Sequence, residues 1–237
     1  MENADITKYQ FLESIDAMDT FSDVDHALKS GQHIQNYPHE ADLFHFIEKF
    51  ENELNYYYKN LFKVNLVCKG TDYDRYYYLD MDDETRGILK SKSKKLTPEY
   101  TLLGILLLKV HRIDKYFGNN EVAVADFIKA IKSNDEFKGD VYRLFAKRKE
   151  KESTEIDENT IDEWIKNSLR EFERLGWIHF DRTQGGKETF EIMPSIDRLF
   201  TMYSYEIHNI DRLIEEAASD DFMDEDFNEE EDSSANN

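Results

Sequence analysis

The sequence predicts a mainly α fold with small β-hairpins (α+β), made by using one order of elements twice. Three observations carry this. Leu43, Phe46, Ile47, Phe50, Leu54, Tyr57 and Leu61 recur at helical spacing and lead directly into a strand–turn–strand pattern. A second helical run, with Ile161, Trp164, Ile165, Leu169 and Phe172 on one face, leads into another. No proline- or glycine-rich linker separates the copies, so they are expected to pack together.

The stretch "VDHALKSGQHI", Val24 to Ile34, reads as a short amphipathic helix. Ser22 can cap its start, Val24, Ala27 and Leu28 form its apolar face, and Gly31 stops it. Gln32 and His33 follow, which suits either a catalytic histidine or a structural elbow. The segment "ADLFHFIEKFENELNYYYKNLF" then reads as one long helix. In "KVNLVCKG", Val64, Leu66 and Cys68 share one face of a strand, Gly70, Thr71 and Asp72 open a turn, and "RYYYLDM" returns. Helices followed directly by a hairpin is the order of a winged helix, in which the last helix can enter a groove and the hairpin is the wing.

The second copy opens at Thr97 and Pro98, a cap followed by a proline at the first helical position. "EYTLLGILLLKVHRIDKYF" is apolar almost all round and is expected to be buried on several sides. "VAVADFIKAIKS" reads as a shorter helix, and residues 137–159 as a polar, irregular stretch. "TIDEWIKNSLREFERLG" reads as a long helix opened by a capping box of Thr160 and Glu163. "WIHFDRT", "QGG" and "KETFEIM" make the second hairpin. The predicted organisation is tandem winged-helix domains at 1–93 and 94–205, then a helical extension and disordered acidic tail at 206–237.

The 237 residues carry a formal charge of −21. Nine acids lie between 220 and 232, and without them the remainder still carries −12. That field opposes stand-alone binding to nucleic acid, which needs a basic footprint. Cys68 is the single cysteine, which excludes an internal disulfide and a cysteine-rich zinc site and reads as a buried thiol. The polar, acidic start and an apolar run of only Leu102 to Leu108 predict a soluble cytoplasmic protein with no membrane partner.

Motifs of enzyme chemistry find no support. His26, His33, His39 and His45 lie close in sequence, but "HEADLFH" lacks the spacing that puts two metal ligands on one helical face. "GGKET" lacks the upstream glycine of a phosphate loop and leads into a strand. There is no dinucleotide fingerprint and no nucleophile elbow. Neither a catalytic residue, a metal site nor a cofactor is predicted.

Basic clusters remain as candidate DNA contacts. Lys147, Arg148 and Lys149 precede the second long helix, and "RGILKSKSKK" lies between the copies. On the helix, Lys166, Arg170 and Arg174 form one stripe at i, i+4 and i+8. Glu171 and Glu173 dilute it, and Lys166 could instead pair with Asp162. Three or four phosphate contacts would give weak, salt-sensitive binding. Candidate partner-binding residues are the surplus aromatics Phe44, Tyr56 and Tyr58, together with the "LLGILLL" run, whose alternative is packing between the copies.

The segment "FSDVDHALKSGQHI" resembles the N-terminal signature of the MukE and MksE family. "FHFIEKFENELNYYYKNLFKVNLV", "RYYYL", "IKNSLREFERLGWIHF" and "FEIMPSIDRLF" are similar, in order, to further parts of that family. The resemblance runs over nearly all of Phe21 to Phe200. It implies tandem winged helices, a homodimer, and binding to a MukF- or MksF-like kleisin. Through the kleisin it implies a place beside a MukB- or MksB-like SMC ATPase that clamps DNA. The role would be chromosome organisation and segregation or plasmid defence, with a nucleoid-associated location. It makes Gly31 and His33 a local structural elbow and places Lys166 and Arg174 at positions that are basic in the family, whereas Glu173 departs. The alternative is a stand-alone DNA binder such as a replication initiator or transcription regulator.

Overall fold

The computed structural model describes residues 7–80, 96–113, 121–133, 135, 137–139, 141, 158–181 and 188–202. Among these the chain is mainly helical with two small antiparallel sheets. The "QGG" turn, the basic residues 86–95, Lys147, Arg148, Lys149 and everything from 203 onward lie outside the described residues.

After a 3-10 turn at Thr7–Glu13, α1 spans Ile15–Lys29. Its cap is Ser14, whose Oγ accepts from the Ala17 N–H at 3.2 Å. Ser22, expected to start this helix, lies inside it. The buried positions Ala17, Val24, Ala27 and Leu28 continue the apolar stripe about two turns further back than the "VDHALK" pattern suggests. The long helix expected over 41–62 is divided into α2 (Ala41–Lys49), α3 (Glu51–Tyr57) and a π-helical turn at Tyr58–Phe62. The break falls at Phe50, where φ −114° and ψ 29° leave the helical region.

Strands β1 (Ile34–Gln35), β2 (Asn65–Lys69) and β3 (Tyr76–Asp80) form the first sheet in the order β1-β3-β2. The β2–β3 turn requires glycine at position 70. Its φ is +79°, and a Cβ there would lie 2.1 Å from the Asp74 carbonyl oxygen. Cys68 is half-buried against the core and not fully enclosed. The core of this half gathers Phe11, Leu28, Ile34, Phe44, Leu54 and Tyr58 between the helices and the sheet.

In the second half, α4 (Pro98–Leu108) begins at Thr97, whose Oγ1 accepts from the Tyr100 N–H at 3.4 Å. Its leucines 102, 103, 106, 107 and 108 are all at most 3% exposed, as an all-round apolar helix requires. The helix ends in a π-helical turn at Lys109–Ile113. β4 (Glu121–Ala123) takes residues that the sequence assigned to the next helix, so α5 starts only at Val124 and runs to Ser133. α6 covers Glu158–Arg174 and thus begins before Thr160. β5 (Ile178–Asp181) and β6 (Thr189–Ile192) complete the second sheet in the order β4-β6-β5. A 3-10 turn, Pro194–Ile196, leads into α7, Asp197–Met202.

The two sheets share one connectivity. A short first strand joins the sheet beside the returning strand of the hairpin, which therefore sits in the centre. Each half also has its own apolar cluster, one gathered from residues 11–79 and the other from 102–199.

Candidate functional site

Two helix ends meet where the halves touch, and they are built alike. At the end of α1, Gly31 takes φ +86°, its N–H reaches Leu28 O at 3.1 Å, and Gln32 N–H reaches Ala27 O at 3.0 Å. At the end of α6, Gly176 takes φ +73°, its N–H reaches Glu173 O at 2.9 Å, and Trp177 N–H reaches Phe172 O at 2.9 Å. Both are Schellman caps, in which a left-handed glycine lets the chain turn back on its last helical turn. The second has the usual apolar clasp, Phe172 against Trp177 with ring centres 5.5 Å apart.

A helix end leaves carbonyls without partners inside the helix. Here each half supplies them to the other. Ser30 O accepts from Arg174 Nη1 at 2.7 Å. Leu175 O accepts from the His33 backbone N–H at 3.0 Å and faces His33 Nδ1 at 2.9 Å. Gly176 O accepts from Gln35 Nε2 at 2.7 Å and from Ser195 Oγ at 2.5 Å. Gln35 Oε1 in turn accepts from Ser195 N–H at 3.1 Å. The backbones approach so closely that a Cβ on Gly176 would lie 2.4 Å from His33 O.

His33 is 2% exposed, and its tautomer follows from its neighbours. Leu175 O can only accept and Arg198 can only donate, with Arg198 Nη1 lying 3.3 Å from His33 Nε2. The ring is therefore neutral, protonated on Nδ1. Burial, with the Arg198 charge adding to it, holds its pKa at about 3. Arg198 also lies over the Tyr78 ring at 3.8 Å and reaches Asp80 Oδ1 at 3.2 Å.

Glu40 organises the elbow from below. Its buried carboxylate accepts from Gln35 N–H at 3.0 Å and from Gln32 Nε2 at 2.8 Å. Burial nevertheless raises its pKa, against the pull of those hydrogen bonds. At the rim, Tyr37 OH donates to Glu191, and the His39 and His179 rings stack with centres 3.9 Å apart. Both histidines are held below their usual pKa, chiefly by burial.

The expected site residues fall into three groups. Gly31 and His33 lie in this seam, with His33 bonded to Leu175 and not within a local elbow. Phe44 and Tyr58 are 1% and 0% exposed, which corrects their reading as exposed partner-binding side chains. Phe44 packs on Tyr77, and the Tyr58 hydroxyl donates to Asp25 at 3.2 Å. Leu102, Leu103, Leu106, Leu107 and Leu108 likewise belong to the second core. Tyr56 is half-buried, edge-on to Tyr9 with ring centres 5.5 Å apart.

Of the α6 stripe, Lys166 and Arg170 are exposed, and Arg170 donates to Asn167 Oδ1 at 2.8 Å. Arg174 is committed elsewhere, gripping both carboxylate oxygens of Glu171 at 2.9 and 2.6 Å besides Ser30 O. Asp162 is engaged by Lys132 at 2.6 Å, not by Lys166. Gln35, Gly176, Ser195 and Arg198 were not singled out as site residues in the sequence. Their signal is the glycine after each helix, which marks where carbonyls need partners.

Chemically the seam uses its groups against one another, and both ring nitrogens of His33 are engaged. Among the described residues no group of three or more His, Cys, Asp or Glu side chains is arranged to hold a metal. Among them, too, no helix is long and apolar enough to cross a membrane. Compared with known families, the chain matches the model of the condensin complex protein MksE over residues 19–203. A search of curated proteins gives no match.

Proposed function

The chain belongs to the MksE family of condensin complex proteins, and from that premise we propose that it is a non-catalytic, dimeric accessory subunit of a MukBEF- or MksBEF-like SMC complex. It binds the kleisin and through it assists an SMC ATPase in clamping DNA, for chromosome organisation and segregation or for plasmid defence. The observation that carries this reading is the match over residues 19–203, which takes in both sheets and the seam.

The repeated strand order supports a tandem winged-helix organisation. In each sheet a short strand, placed after the first helix of its half and before the later ones, pairs with the return strand of the hairpin. The proposed boundaries are 1–93 and 94–205, followed by the extension at 206–237. Tyr56 remains a candidate for partner contact. Lys166 and Arg170, with Lys147, Arg148 and Lys149, remain candidates for phosphate contact inside the assembled complex. Arg174 contributes there only if it leaves Glu171 and Ser30, so the stripe offers fewer charges than its spacing suggests.

The experiment is co-expression with the kleisin of the same complex. Stoichiometric co-purification, and a dimer at micromolar concentration by light scattering, are the expected results. A monomer that ignores the kleisin would remove the proposal.

A further inference from the structure

Each half of the chain encloses its own apolar cluster, and what joins them is a set of directed polar bonds with a few ring contacts, such as His39 on His179 and Arg198 on Tyr78, beside them. Two units related in this way ordinarily swing against each other, because polar interfaces within a chain behave like transient contacts. The seam has two properties that oppose swinging. Its central groups are desolvated: His33, Gln35 and Ser195 are 2%, 3% and 0% exposed. They also converge on the carbonyls of Leu175 and Gly176 at the end of α6, whose directions its Schellman turn fixes.

We propose that the seam is an orientation lock: the ends of α1 and α6 cap one another and hold the two halves at one angle, so that the chain presents its outer faces as one rigid bracket. The reason is geometric. Leu175 O and Gly176 O each receive two donors, and Gln35 uses both ends of its amide. A small rotation that kept the seam closed would break several of these bonds at once and leave the freed groups buried without partners. The closed state therefore has a single angle, and Gly176, which admits His33 O to 2.4 Å of where a Cβ would stand, leaves no slack. Arg174 to Ser30 and Arg198 to Asp80 brace the same contact from its two sides.

Pulsed electron-spin distance measurement on the full chain tests this. With Cys68→Ser as background, spin labels go on Met18→Cys and Glu163→Cys, both exposed and one on each half, and the labelled chain is mixed with a large excess of unlabelled chain so that the proposed dimer adds no distances between chains. One narrow distance distribution is expected. Adding His33→Ala and Gln35→Ala is expected to broaden it at least twofold, while circular dichroism shows both halves still folded. Should that variant unfold, the Arg174→Ala, Arg198→Ala pair leaves the His33 and Gln35 bonds to Leu175 and Gly176 in place, removes the outer braces together with the Arg198 contact to His33 Nε2, and is expected to give a smaller broadening. A broad distribution in the parent chain overturns the proposal. So does a distribution that stays as narrow in whichever variant folds.

Discussion

His33 shows how one side chain can be read correctly in kind and wrongly in reach. The glycine stop followed by a polar pair is visible in the sequence, but the partner carbonyl lies at Leu175, and nothing local points to it. Its neutral state has a pH signature. The folded pKa, about 3, is depressed below the ordinary imidazole value of 6.5, so the unfolded chain binds the proton more readily between these values. The contribution of His33 is complete above pH 6.5 and is lost as pH falls toward 3. His33→Gln keeps a donor and an acceptor without the titration. Urea unfolding of parent and variant at pH 7, 6, 5 and 4 is expected to show the variant's acid limb flatter, by up to about 1.4 kcal/mol per pH unit. Glu40 has the opposite sign, since its raised pKa favours the folded state on the acid side, and it is common to both proteins.

The two capping glycines make a second comparison at this scale. A Cβ on Gly31 would meet only Leu175 Cδ2 at 3.7 Å, so Gly31→Ala faces the left-handed backbone cost of about 1–2 kcal/mol. Gly176→Ala faces that and the His33 carbonyl as well. Thermal unfolding is expected to show the larger loss at 176.

Among the elements, the hairpins and most helices were legible because their periodicities run long enough to count. β1 has two residues and β4 three, too few for alternation to register. Both exist because the return strand of each hairpin needs a second neighbour, which is a tertiary demand. Phe44 and Tyr58 were misread because the helices after Glu40 are covered on more than one face. The all-round apolar pattern of α4 marks a buried helix, which the structure shows, and Leu106→Ala there is expected to cost about 2–5 kcal/mol in denaturant unfolding, from lost burial and the cavity left behind. The stripe on α6 is tested by Lys166→Glu with Arg170→Glu in the assembled complex. If both touch phosphate, the slope of log binding constant against log salt falls by roughly 0.9 per contact. An unchanged slope would remove them from the DNA-facing surface.

For the whole molecule, the charge of −21 and the partial use of the stripe within the fold both argue against tight DNA binding by the isolated chain. The isolated chain is expected to bind duplex DNA no tighter than about 10⁻⁴ to 10⁻⁶ M at physiological salt, without sequence preference. Tight, sequence-selective binding in a gel-shift titration would contradict this. The mainly helical character and the two hairpins are legible in the sequence, and the described residues show both. How the two halves meet is not legible there, because the bonds that join them cross 118 residues of chain or more. That separation bears on synthesis. While the ribosome is still adding the later half, the earlier one can assemble around its own apolar cluster with His33 and Gln35 facing water. A greasy surface waiting that long would invite nascent-chain aggregation. A surface of imidazole, amide and carbonyl stays solvated until its counterpart emerges.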